Sequence, residues 1–242
     1  PQDARRVAEE VAARGDASEE LRYNLALARV QTGAGEAALE VVQKWRRERP
    51  DEPMALQLEA LVRERSGDFA GAQTALQRYL QLKPEVSPMV VKLARLQART
   101  GTPETARKTL ETAFQQSPQN PLLRHELARL LALNSKVEVR QPARAVELMK
   151  PLMSAHPGLP QIETLILALH GSGDSAAAWQ RFQQLTNTTA KRTNAVLVAR
   201  LERLRQALAP GKPAYEPWPF ALNSGATNAD ETAPDEEPGR AP

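Results

Sequence analysis

Glycines at 33, 67 and 101 fall 34 residues apart, and a ladder of other positions keeps the same interval. Ala26, Ala60, Ala94 and Ala128 lie on it, as do Ala38, Ala72 and Ala106, and Pro50, Pro84 and Pro118. A unit of this size is too small to bury a core of its own, so each must stack on its neighbours. Aromatics make up only 4% of the chain, which leaves Ala, Leu and Val to build the interior. Windows of that composition favour helices, where such side chains lose little conformational freedom. The spacing therefore predicts a helical solenoid, an architecture suited to holding other molecules.

The first full unit spans about 19–52, with Leu21, Leu25 and Ala28 on one helical face, a break at Gly33, and Ala38, Val42 and Trp45 along the second helix. Pro50 closes it, because proline cannot continue a helix. Units at 53–86 and 87–120 repeat the pattern. The fourth, 121–157, breaks it: Ala106 to Ala145 and Pro118 to Pro157 are each 39 residues, so five residues have entered the turn at 134–142. A fifth unit spans about 158–188, with Leu165, Gly173, Ala178 and Phe182. Segment 190–208 carries Leu197, Leu201, Leu204 and Leu208 on one side and charge elsewhere, as a capping helix requires.

Residues 1–18 match the second helix of a partial unit, since Ala4 lies 34 positions before Ala38. They are expected to belong to a longer array or to form an N-terminal cap, and trimming from a longer array is the preferred reading. After 208 the composition changes. Residues 209–242 are rich in proline and poor in aliphatics, a composition expected to stay disordered. Within them Tyr215, Trp218 and Phe220 form a candidate docking motif, for the solenoid itself or for a partner.

The net charge of +3 hides an asymmetry. Residues 210–242 hold two cations and six carboxylates, leaving the body at +7. No basic cluster interleaves with aromatics, so no nucleic-acid partner is expected. No run reaches the ~18 apolar residues of a membrane span. The absence of cysteine excludes disulfides and thiolate metal sites in this chain.

No pattern of catalytic or metal-binding residues is complete in the sequence. His125 opens a His-Glu-x-x sequence, but Arg129 stands where a zinc-binding pair needs its second histidine, so no metal site is expected. His156 and His170 fall at turns, and Asn187-Thr188-Thr189 is a weak glycosylation pattern. Neither Gly33-Ala34-Gly35 nor Gly171-Ser172-Gly173 follows a strand, so neither cradles phosphate. The chain is expected to be no enzyme and to need no cofactor.

The small residue, Gly, Ala and Pro at these offsets, clearest in LRYNLALARVQTGAGEAAL and LVRERSGDFAGAQTALQRYLQLKP, resemble the tetratricopeptide repeat (TPR) over roughly 1–208. The resemblance implies an all-α, right-handed superhelical solenoid of antiparallel helix pairs with a C-terminal capping helix. Arg22 and Leu56 stand where the family commonly has an aromatic, and Trp45 and Tyr79 where it has alanine. The stretch containing Arg140, Pro142 and Ala145, and the ending RLERLRQALAPGKPAYEP, resemble C-terminal arrays of longer bacterial proteins.

TPR arrays bind partners along a concave surface made by the first helix of each repeat. That geometry implies a groove of Tyr23, Leu27, Gln57, Leu61, Arg65, Val91, Arg95, Arg99, His125 and Arg129, apolar at one end and basic at the other. A protein or peptide with apolar residues followed by carboxylates would match it. The arginines could grip those carboxylates, or could equally pair with carboxylates of their own helices. The Lys/Asn set of the chaperone-tail clamp is absent. The favoured reading is a non-catalytic scaffold within a bacterial multi-component assembly, as part of a larger chain or complex. Its location is expected to be periplasmic or envelope-associated rather than cytoplasmic. The alternatives are a substrate-presenting or regulatory region of a larger enzyme, such as a membrane glycosyltransferase, and a polysaccharide-handling solenoid of the envelope.

Overall fold

The computed structural model describes residues 19–154, 156–189 and 195–209. The partial unit 1–18, the start of the segment read as a capping helix, the Pro-rich tail from 210 and its Tyr215, Trp218 and Phe220 lie outside the described residues. Among the described residues there are eleven α-helices and no strand: α1 (Glu19–Gln31), α2 (Gly35–Glu48), α3 (Pro53–Arg65), α4 (Phe69–Leu82), α5 (Ser87–Arg99), α6 (Pro103–Gln116), α7 (Pro121–Leu133), α8 (Pro142–Met149), α9 (Leu159–Gly171), α10 (Ser175–Thr189) and α11 (Ala195–Ala207). They form a right-handed superhelical stack of antiparallel pairs. The odd helices α1 to α9 make one layer and the even helices α2 to α10 the other, each of α2 to α8 packing on the odd helices before and after it and α10 packing on α9.

The ends of the first helices explain the glycine spacing. Gly33, Gly67, Gly101 and Gly173 all have φ between 79° and 95°, a left-handed conformation that a side chain would strain. The next residue then donates its amide five residues back: Ala34 to the Arg29 carbonyl (2.8 Å), Asp68 to Arg63 (2.8 Å), Thr102 to Gln97 (2.9 Å) and Asp174 to Leu169 (3.0 Å). These bonds satisfy carbonyls that the ending helix would leave open and set the reversal into the second helix.

Where the paired helices cross, Ala26, Ala38, Ala60, Ala72, Ala94, Ala106, Ala128 and Ala145 have no exposed surface. Small side chains there let the backbones approach, and Leu76, Leu96, Leu110 and Leu127 fill the space around them. In the fifth unit Ile166, seven residues before Gly173, takes the alanine's place and is also fully buried. From α5 onward the core is continuous, reaching Leu204 and Leu208. Thus α11 closes the stack with its leucines, and Arg200 binds Glu163 of α9 through two bonds of 2.6 Å.

The five-residue insertion replaces the glycine turn with a folded loop. Asn134 is buried and accepts from the Lys136 amide (2.9 Å), while the Gln141 amide returns to the Leu131 carbonyl (2.7 Å). Val139 is driven into the core with no exposed surface, and Val137 points outward. Lys136 Nζ reaches back to the Gly101 carbonyl (3.3 Å), tying the loop to the previous turn. The insertion is therefore part of the packing. The second helix of this unit is also short, since α8 gives way to a 3₁₀ turn at Lys150–Ser154. Pro151 explains the change: it lacks an amide donor, and its ring would collide with the Glu147 carbonyl in an α-helix.

Candidate functional site

The odd helices also touch one another from unit to unit, α1 with α3, α5 with α7 and α7 with α9, which draws them to the inner side of the stack, and the charged residues of this layer are arranged across α3, α5 and α7. On α5, Lys92, Arg95 and Arg99 stand at i, i+3 and i+7, one stripe of a helix. On one side Lys92 Nζ lies 3.0 Å and Arg99 Nη1 3.9 Å from the Glu64 carboxylate of α3. On the other, Arg95 meets Glu126 of α7 with two bonds, Nη2 to Oε1 at 2.6 Å and Nε to Oε2 at 3.2 Å. Arg129, one turn further along α7, donates to the same Oε1 at 3.2 Å. Arg99 also stacks on Phe69, its guanidinium carbon 4.1 Å from the ring centre.

The Glu126 side chain is only 2% exposed. Burial by itself would raise its carboxyl, but the Arg129 and Arg95 cations and the hydrogen bonds from Arg95 outweigh that and hold it below the ordinary carboxylate range. Its neighbour His125 is buried too, with Nε2 3.0 Å from the Thr164 hydroxyl of α9, which in turn donates to the Pro160 carbonyl. Burial and the nearby Arg129 push His125 down from 6.5 to about 4. It is therefore neutral near pH 7 and adds no charge to the surface.

The residues expected to line a groove are thus divided. Arg65 is exposed at the end of α3, and Tyr23, Leu27, Gln57, Leu61, Arg95, Arg99 and Arg129 are partly exposed. Val91 and His125 are 5% and 6% exposed and belong to the interior. The reason is stacking: Val91 joins Leu123 and Leu127 in the core, while α9 covers His125. Basic character also takes a different form from a bare row of arginines. Lys92 and Arg99 meet Glu64, and Arg95 and Arg129 meet Glu126, so the cations are held in place by carboxylates of α3 and α7.

Sequence reasoning missed Lys92, Glu64 and Glu126. The repeat grid offers a signal for two of them, since Lys92 and Glu126 are 34 apart and each precedes an arginine by three residues. Elsewhere, Ser175 Oγ approaches His170 Nδ1 at 2.9 Å. This is a contact across a turn, His170 near the end of α9 and Ser175 at the start of α10. Among the described residues no cluster of three His, Asp or Glu could hold a metal ion, and no helix is long and apolar enough to cross a membrane.

Residues 1–53 and 65–130 match two sequence profiles of the tetratricopeptide repeat. No curated protein matches the chain significantly. Among solved structures, MamA from Desulfovibrio magneticus is 17% identical with a TM-score of 0.59, covering 72% of this chain and 97% of that one. A thermophilic TPR protein from Thermus thermophilus is 16% identical, TM-score 0.56, covering 78% and 100%. The pilF protein of Pseudomonas aeruginosa is 16% identical, TM-score 0.56, covering 77% and 90%. At these identities the likeness concerns the fold alone. Together with the 34-residue helix pairs and their glycine-ended turns, these matches identify the chain as a member of the tetratricopeptide repeat family.

Proposed function

We propose that this chain is a non-catalytic protein-interaction scaffold that takes an acidic peptide segment on its inner face. The observation that supports this reading is the stripe of positioned cations, Lys92, Arg95 and Arg99 on α5 and Arg129 on α7, continued by exposed Arg65 and by the half-buried Tyr23, Leu27 and Leu61. Arginines already held in position lose little freedom when they bind a second carboxylate, which favours affinity. The apolar end suits hydrophobic residues flanking the acidic ones. We place it in a bacterial multi-component assembly, as its resemblance to the C-terminal arrays of longer bacterial proteins implies.

The test is selection from a displayed random-peptide library on the native chain and on a variant with Arg65→Glu and Arg99→Glu. Neither substitution touches the Glu126 cluster, and because Arg99 also meets Glu64 and Phe69, circular dichroism first verifies that the variant keeps its helix content. Enrichment of peptides combining Asp or Glu with Leu, Phe or Tyr, lost in the variant and weakened by salt, is expected. Selected peptides with no acidic excess, or equal binding to both proteins, would overturn the proposal.

A further inference from the structure

We infer that the array bends at one seam, between α3 and α5, and that Glu64 is the latch of that seam. Along the inner side α1 lies against α3, α5 against α7 and α7 against α9, but α3 and α5 barely approach each other. The buried side chains divide at the same place. Ala55, Leu58 and Val62 of α3 pack with α1 and α2, around Val42 and Trp45. Of the buried residues of α3, only Ala60 joins the small cluster in which Leu76 of α4 meets Leu93 and Leu96 of α5. From Val90 of α5 to Leu208 the core is a single body. The stack thus consists of two bodies, with the second unit seated on the third through α4 and hardly at all through α3.

Polar groups span the gap. Glu64 of α3 meets Lys92 Nζ at 3.0 Å and Arg99 Nη1 at 3.9 Å, and Arg99 stacks on Phe69 at the start of α4. The three charged side chains are between 19% and 25% exposed, so water and salt reach these pairs and weaken them. A solenoid unit touches only its neighbours, and a weak interface is not braced from elsewhere in the fold. Local opening concentrates where buried apolar contacts are few. Packed helices that slide slightly on one another supply such motion, and here α4 moves on α5 about Leu80, which touches the clusters on both sides. The bend does not depend on what the inner face holds. A partner laid across α3 and α5 fixes the angle between the two bodies, whereas one confined to either body leaves it free.

The absence of cysteine allows spin labels to be placed at chosen sites in the full chain. Glu40, Lys108 and Gln180 are exposed at equivalent positions of α2, α6 and α10. Labels at Glu40→Cys and Lys108→Cys straddle the seam. Labels at Lys108→Cys and Gln180→Cys span the same number of units within the continuous core. Distances from double electron–electron resonance should be spread about twice as widely for the first pair as for the second. Equal widths would overturn the inference.

Glu64→Gln in the same labelled chains removes the latch charge and almost no volume. The distribution across the seam should widen further, both in this variant and in the unsubstituted latch at high salt, while the control pair stays as it was. If neither change alters the first pair, Glu64 holds nothing closed and the inference fails. Should E64Q broaden both pairs, the substitution has disturbed the whole stack, and the salt series on the chain with Glu64 intact decides. Broadening confined to the first pair then upholds the seam, and broadening of both pairs or of neither overturns it.

Discussion

Replacing Glu126 by glutamine removes one charge and almost no volume, which isolates what that charge does. The guanidinium groups of Arg95 and Arg129 both bind Oε1, at 2.6 and 3.2 Å. Their nitrogens are therefore no more than about 6 Å apart, and without the carboxylate they repel by about 3 kcal/mol at an effective dielectric of about 20. Side-chain exposures of 26% and 13% admit enough water to reduce this to roughly 2 kcal/mol. The weakened hydrogen bonds add about 1 kcal/mol. E126Q should thus cost about 2–4 kcal/mol and lower the thermal midpoint by roughly 5–15 °C. Urea and thermal unfolding followed by circular dichroism would measure it, with Arg95→Ala alone and combined with E126Q to complete a double-mutant cycle. A coupling above about 1 kcal/mol is expected. A loss below about 0.5 kcal/mol for E126Q would refute the argument, because the cluster would then behave as an exposed, screened pair.

Acid should destabilise the protein through His125. Its folded value of about 4 lies below the ordinary 6.5, so the unfolded chain takes up the proton first as pH falls. Stability is therefore complete above about 6.5 and declines by about 3 kcal/mol in all by pH 4; His125→Gln should flatten that slope in unfolding measured across the range. Val139→Ala should cost about 2 kcal/mol, because the inserted loop seats this fully buried side chain in the core. Val137→Ser, two residues away and 67% exposed, should change stability by less than about 0.5 kcal/mol in the same chemical-denaturation assay. Ala72→Leu should overpack the α3–α4 crossing, where Ala72 is fully buried, and lower stability by about 1–3 kcal/mol in thermal melts.

Much of this architecture is legible in the amino-acid sequence because its devices are local. A glycine that must adopt a positive φ, and a proline that cannot lie inside a helix, act within one turn of themselves. Their recurrence at 34 residues therefore reports the fold directly. The insertion at 134–142 is visible by the same arithmetic, and so is the alanine ladder. The conversion of α8 into a 3₁₀ turn was equally local, marked by Pro151, yet it falls inside a unit whose overall spacing reveals nothing of it. The inward turn of Val139 could not be read at all, because Val137 and Val139 differ only in which one the surrounding helices receive.

The inner face shows where that legibility stops. The 34-residue period, the small-residue crossings and the row of arginines at 95, 99 and 129 are written in the amino-acid order. That Glu126 and Glu64 hold those cations, and that Val91 and His125 are interior, follows from the stacking of one unit on the next. The physical reason is distance along the chain: Arg95 and Glu126 are 31 residues apart, His125 and Thr164 39. Contacts of that separation exist only once one repeat has stacked on the next, because the relative rotation of the helices selects which residues one turn apart face each other.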